Sequence, residues 1–242
     1  MNNSRQVVAA VMMIAAMGIS ARAEEAAAPK FETSLAVGIM GTEGNSDIKQ
    51  GTANLLSLRK AANSECKAGF DFAYGEIGGS TTNNNIKVFI GHRRNVNDRL
   101  YGYFDLSYFY DEIGDIDYRV TASPGLGYFL LKDEAQSLAV EAGPSYIWEK
   151  VGGVKDDYPA LRLFEKYERK LSDTSKVWES VEYLPRFDDF NDYLLNAEVG
   201  VEAAMNSSLS LRLVVVDKYD STPAPGKKEN DVTVTGSLVY RI

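Results

Sequence analysis

The closing residues of the chain alternate in character. From Asp231 onward, Val232, Val234, Gly236, Leu238, Tyr240 and Ile242 fall on one side of an extended backbone, while Thr233, Thr235, Ser237 and Arg241 fall on the other, with Val239 the one apolar residue among them. The same rhythm begins at Phe31: Phe31, Thr33, Leu35, Val37 and Ile39 oppose Glu32, Ser34, Ala36 and Gly38. It is cleanest where Cys66, Ala68, Phe70, Phe72 and Tyr74 oppose Glu65, Lys67, Gly69, Asp71 and Ala73. A repeat of two puts successive side chains on opposite faces of a β-strand, so the two faces must meet different surroundings. Further strands are expected over residues 48–59, 86–94, 100–110, 116–131, 137–150, 158–171, 177–183, 193–203 and 209–217, about twelve in all. The pattern is less regular in 48–59 and of mixed parity in 158–171.

The connections sort by length. Returns near residues 61–64, 95–98, 132–135, 172–175 and 206–208 are short, and those near 41–47, 75–85, 111–115, 151–157, 186–192 and 218–230 are longer, in strict alternation. Short turns at one end and longer loops at the other characterise transmembrane barrels. Most of the strands meet the roughly nine to eleven residues that a tilted crossing needs. A soluble sandwich could copy the alternation but has no reason to sort its loops. The fold class expected over residues 31–242 is therefore all-β, a single antiparallel transmembrane β-barrel of about 12 strands, with short periplasmic turns and longer extracellular loops. The ending suits this fold, since Thr235, Tyr240 and Ile242 fit a closing outer-membrane strand, although its glycine is displaced by one to Gly236 and the last residue is aliphatic.

Export is written at the other terminus. Arg5 precedes the apolar run from Val7 to Ile19, and Ala21 and Ala23 stand where a signal peptidase reads, so residues 1–23 are expected to be a signal peptide cut before Glu24. A retained anchor is the weaker alternative, because the run falls short of the roughly twenty residues of a spanning helix. Residues 24–30 read as a flexible lead-in. Cleavage removes two arginines and no acids, taking the net charge from −8 to −10. An acidic exported chain has no basic face for phosphates, which sets nucleic-acid binding aside. Cys66 is the lone cysteine, so no internal disulfide can form. The localisation expected is the outer membrane of a Gram-negative-type bacterium.

Several stretches carry a resemblance. Gly44-Asn45-Ser46-Asp47, Tyr101-Gly102-Tyr103 with Asp111 beyond it, Ser123-Pro124-Gly125-Leu126-Gly127-Tyr128, Glu141-Ala142-Gly143-Pro144-Ser145-Tyr146 and the ending from Lys218 to Lys228, followed by Thr233, Thr235, Leu238, Val239 and Tyr240, resemble the salt-induced outer membrane protein family. The resemblance covers nearly all of the mature chain. It implies a bacterial outer-membrane β-barrel domain without assigned biochemical function and brings no catalytic residues with it.

The residues themselves offer little catalytic chemistry. His92 is the single histidine, which leaves no ordinary metal cluster. A lipid-cleaving barrel would need a serine beside it, but Ser107 on the next strand shares a face with Tyr103 and Asp105. No cofactor and no enzyme activity are expected. Charges opposite the apolar stripes are numerous: Glu32, Arg59, Glu65, Lys67, Asp71, Lys87, Arg93, Asp105, Asp117, Arg119, Glu141, Glu149, Glu198, Glu202 and Arg212 are all expected to line the lumen. These groups need water or partners. Two readings stay open: pairing into a closed plug, or a narrow path that selects ions or small solutes. Acidic loop residues such as Asp111, Asp115, Asp156, Asp188 and Asp192 form either a solvated rim or a site for divalent cations. The function expected is a narrow pore or an envelope-integrity protein linked to salt or osmotic stress, with a lipid-active enzyme and a soluble periplasmic binding protein as alternatives. The partners implied are outer-membrane lipid and, through the strand from Val232 to Ile242, the barrel-assembly machinery.

Overall fold

A computed structural model describes residues 30–43 and 47–242. The signal-peptide expectation for Ala21, Ala23 and Glu24, the lead-in, and Gly44, Asn45 and Ser46 of the first loop lie outside the described residues. Twelve strands follow one another: β1 (Lys30–Thr42), β2 (Ile48–Lys60), β3 (Ser64–Ile77), β4 (Ser80–Asn95), β5 (Leu100–Asp111), β6 (Ile116–Lys132), β7 (Gln136–Val151), β8 (Val154–Lys170), β9 (Ser175–Pro185), β10 (Tyr193–Ala204), β11 (Leu209–Asp220) and β12 (Asn230–Arg241). Each pairs antiparallel with its neighbours in sequence, and β12 returns to β1 to close the barrel. Closure gives the strands partners on both sides, which is what permits a sheet to stand in lipid.

The side-chain period decides what each face meets. Leu35, Leu55 and Phe70 lie side by side across β1, β2 and β3 and point outward. On β12, Val232 and Val234 are 60% and 65% exposed, whereas Val239, one step out of phase, is fully buried. Apolar side chains thus form the outer surface, and the inner face carries the charges.

Some residues expected in loops belong to strands. β3 runs on to Ile77 and β4 begins at Ser80, so only Gly78 and Gly79 turn the chain, both at positive φ. Gly152 and Gly153 do the same between β7 and β8. Two residues with positive φ match the twist of a hairpin, and glycine adopts that backbone without steric cost. The polar residues at 80–85 are therefore strand, extending the hairpin instead of forming an open loop.

Four inward glycines are covered by the aromatic directly opposite on the next strand. Phe89 lies over Gly69, Tyr101 over Gly127, Tyr103 over Gly125 and Trp178 over Gly200, each so closely that a methyl group on the glycine would collide with the ring. The missing side chain lets each ring lie along the wall, a cross-strand pairing that protects glycine backbone and fills the interior. Tyr101, Tyr103, Phe129 and Ala139 form one buried apolar cluster inside, and Ile147, Tyr158, Ala160, Leu184 and Leu194 form another nearer the loops.

Candidate functional site: the barrel interior

The interior is organised as three layers of ion pairs, each built around arginine. Arg162 projects inward from the middle of β8, where its side chain is only 5% exposed. Its guanidinium donates to Glu182 Oε1 at 2.6 Å and Glu141 Oε2 at 2.7 Å, and stands 3.7 Å from Asp105. It also lies over the rings of Tyr103 and Phe164, at 5.0 and 4.7 Å from their centroids. Tyr101 donates its hydroxyl to the other Glu141 oxygen at 2.9 Å, and Lys67 pairs with Asp105 at 2.9 Å. A planar fork with fixed donors suits such convergence of carboxylates better than an ammonium would.

Towards the loops, Arg119 on β6 pairs with Glu149 on β7 and donates to Asp220 on β11 at 2.8 Å, tying across the bore two strands distant in the sheet. Towards the short turns, Glu202 on β10 accepts from Arg212 at 2.7 Å and from Arg241 of the last strand. Glu32 with Lys60, Glu65 with Arg93 and Glu168 with Lys176 complete the pairs at that end. Asn54 bridges Asp71 and Arg212.

Between these layers lies a cavity of about 560 Å3, lined among others by Lys67, Lys87, Phe89, Asp105, Phe109, Phe164, Glu198 and Lys218. Of its five lysines only Lys67 has an ion pair among the described residues; Lys227 and Lys228 belong to the last loop, and on the strands Lys218 sits over the Phe109 ring at 4.1 Å and Lys87 over Phe89 at 5.9 Å. Residues of the last loop, including Pro223, Ala224 and Lys227, cover its upper end. That loop is fixed in turn, with Thr222 donating to Asp192 at 2.7 Å and Ser221 Oγ accepting from the Tyr193 amide at 2.7 Å.

Residues 35–242 match the family described as protein of unknown function, DUF481. The chain belongs to that family. Its description names no activity. No curated protein matches the chain. Among solved structures it is similar to a NanC porin, at 8% identity over 87% of this chain and 96% of that one with a TM-score of 0.52. It is also similar to a KdgM porin, at 10% identity over 87% and 98%, with a TM-score of 0.50. At such identities the likeness is one of fold, the closed antiparallel barrel of outer-membrane porins.

Within this family member the register places thirteen of the fifteen charges expected inside on the inward face, and corrects two. Glu32, Glu65, Lys67, Asp71, Lys87, Arg93, Asp105, Arg119, Glu141, Glu149, Glu198, Glu202 and Arg212 share that face with Ala36, Ser123 and Ser145. Arg59 does not. It stands opposite Phe31 on β1 and Cys66 on β3, on the outward face at the short-turn end, because β2 alternates Leu56 and Leu58 inward. Asp117 is the second correction. Register shifts flank it on both neighbours, between Phe109 and Asp111 and between Ile116 and Tyr118, and its exposed carboxylate pairs with Lys150 at 2.5 Å. A bulge breaks the parity on which its inward assignment rested.

Arg162, the most connected residue, was hidden because β8 carries charge on both faces: Arg162, Lys166 and Glu168 inward, Glu165 and Arg169 outward. Its signal was the even-numbered series Tyr158, Ala160, Arg162, Phe164, which follows one face once the register is known. Lys218 and Asp220 belong to β11, which runs three residues into the expected loop 218–230.

His92 faces outward beside Cys66, with Sγ and Nδ1 3.2 Å apart, whereas Ser107 opposes Phe89 and Thr121 on the inward face. The two cannot act on one substrate atom. At the loop end, Asp156, Asp188 and Asp192 converge on Arg186 at 2.7, 2.9 and 3.5 Å, and the guanidinium lies over the Tyr158 ring at 4.1 Å. Burial pulls the Arg186 pKa down, but hydrogen bonds to Asp156 and Asp188 more than offset it and hold the group above its ordinary range. These three acids thus surround a built-in cation. Among the described residues no cluster of three or more His, Cys, Asp or Glu is placed to hold a metal ion.

Proposed function

We propose that this protein is an outer-membrane channel of narrow bore for ions or small polar solutes, working without enzymatic chemistry and contributing to the cell's response to salt or osmotic stress. The observation that carries the reading is the charged cavity of about 560 Å3 inside the barrel, in which Lys87 and Lys218 lie over aromatic rings and make no ion pair among the described residues. Buried charges without partners are costly, so these ammonium groups call for water or mobile counter-ions. Export through a signal peptide and insertion by the barrel-assembly machinery at the strand from Val232 to Ile242 complete the reading, and the apolar exterior accounts for a lipid environment.

A second reading has its own support. The layer of Tyr101, Tyr103 and Phe129 beside the Arg162 network is buried from solvent. A closed layer there makes the protein a rigid envelope element whose role lies at its surface. Planar-bilayer conductance of the refolded protein separates the two. Stable current steps whose selectivity moves towards cations when Lys87→Gln and Lys218→Gln are introduced support the channel. Silence from protein whose insertion is verified by a heat-sensitive gel shift refutes it.

A further inference from the structure

The barrel wall is unevenly sealed where its two ends meet. Pairing between β1 and β12 runs from Ser34↔Arg241 to Val37↔Leu238, with the Ile242 amide donating to the Thr33 carbonyl at 2.9 Å. Beyond that point, residues 38–41 of β1 have register partners on β2 alone, and residues 231–237 of β12 have them on β11 alone. A methyl group on Gly38 would collide with the Gly236 carbonyl where the pairing ends, while Gly41 and the Cβ side of Gly236 face open space. A cleft of about 750 Å3 fills the gap.

This cleft draws its lining from both faces of the wall. It takes outward residues such as Ile39 and Val234 and inward ones such as Thr235 and Thr52. It shares Asp111, Lys218 and Asp231 with the central cavity. Its outer rim is apolar, with Ile39 88% exposed beside the exposed Val232 and Val234. Its inner mouth carries the Lys218 ammonium, which makes no ion pair among the described residues although Asp111 and Asp231 also line the mouth. Open strand edges are tolerated in a bilayer only where they border water or protein, so a wet inner side and an oily outer side meet at this gap.

We propose that the gap between β1 and β12 is a lateral portal for a single-chain anionic amphiphile, its carboxylate or phosphate held at Lys218 and Lys87 and its acyl chain lying between Ile39 and Val234. Lys218 and Lys87, which make no ion pair among the described residues, receive the head group where the cleft meets the central cavity, and the apolar rim takes the tail. This rests on the reading of the interior as solvent-filled space, and it adds a route that does not run along the barrel axis.

The test uses the refolded mature protein in an uncharged detergent and a medium-chain fatty acid bearing a fluorophore at its methyl end, with the methyl ester as control. The acid is expected to bind at least tenfold more tightly than the ester, and Lys218→Gln with Lys87→Gln to abolish that preference. Gly236→Trp should weaken binding of the acid at least tenfold, since this glycine lines the cleft and a side chain on it projects into open space, while leaving axial conductance unchanged. A gel shift verifies that each variant folds. Equal binding of acid and ester, or undiminished binding to the tryptophan variant, overturns the portal. So does a dimer that protects a cysteine placed at Gly41, because a second copy then pairs with the open edges. Binding without conductance refutes the channel and leaves the portal standing; conductance without binding does the reverse.

Discussion

Replacing Arg162 by alanine probes the interior most directly. The side chain is nearly sealed from solvent, and its carboxylate partners Glu141, Glu182 and Asp105 are 11%, 25% and 23% exposed. Asp105 keeps Lys67 at 2.9 Å after the change, but Glu141 and Glu182 lose their only cation within 4 Å among the described residues. Removing one partner of a buried ion pair costs about 3–5 kcal/mol, because a charge is left without compensation. Two orphaned carboxylates, one of them a quarter exposed, put the expected loss within that range, not at its double. Urea unfolding in phosphatidylcholine vesicles, followed through Trp148 and Trp178, measures it. The reasoning also requires rescue: Arg162→Met combined with Glu141→Gln and Glu182→Gln should recover most of the loss, since an apolar or neutral replacement of a whole buried network is often close to neutral. A loss below about 1 kcal/mol for Arg162→Ala, against that ion-pair expectation, or a triple variant no more stable than the single one, refutes the account.

Other consequences are open to simpler measurements. Leu213 points outward near the middle of β11, so Leu213→Arg should cost about 2–4 kcal/mol in vesicles, and a neutral result would mean that this face does not meet hydrocarbon. Arg186→Ala should speed chymotrypsin cleavage at the exposed Phe187 or Phe190 several-fold by releasing Asp156, Asp188 and Asp192; an unchanged digestion pattern would show that the loop is held by other means. In the exposed turn after β6, amides of Ala135 and Gln136 donate to the Asp133 carboxylate at 2.8 and 2.9 Å and hold its pKa below the ordinary range. A folded value below the unfolded one means that the contribution is complete above about pH 4 and lost as pH falls through the folded value. The stability of Asp133→Asn should therefore vary less with acid pH than that of the parent, and parallel curves would contradict the assignment.

The architecture was legible because a barrel must repeat one rule along every strand. Alternation in β1, β3 and β12 is nearly free of exceptions, and closure adds no further sequence requirement. The interior was legible wherever alternation was clean, as at Lys67 and Asp71 or at Glu198 and Glu202. It failed at Asp117, where a bulge shifts parity locally, and at Arg59, where an irregular strand gave no reliable phase. Arg162 escaped for a different reason: with Glu165 and Arg169 outward, charge no longer marks the inner face of β8. The partial seam between β1 and β12 has no local signature, since each strand alternates regularly through the gap. Whether two strands 200 residues apart stay bonded depends on barrel geometry, which the alternation of either strand alone does not encode.

The four glycines beneath aromatic rings carry a consequence for the width of the bore. Each ring lies against the wall because the residue opposite has no side chain to push it away. A single methyl group at Gly69, Gly127 or Gly200 would force Phe89, Tyr101 or Trp178 to swing towards the axis, whereas one at Gly125 would meet the Ala142 backbone carbonyl as well as Tyr103. The cross-section would then shrink by a ring without any change in charge or strand number. In this barrel the glycines act as aperture stops, and bore can be adjusted in small, discrete steps independently of the electrostatics that choose what passes.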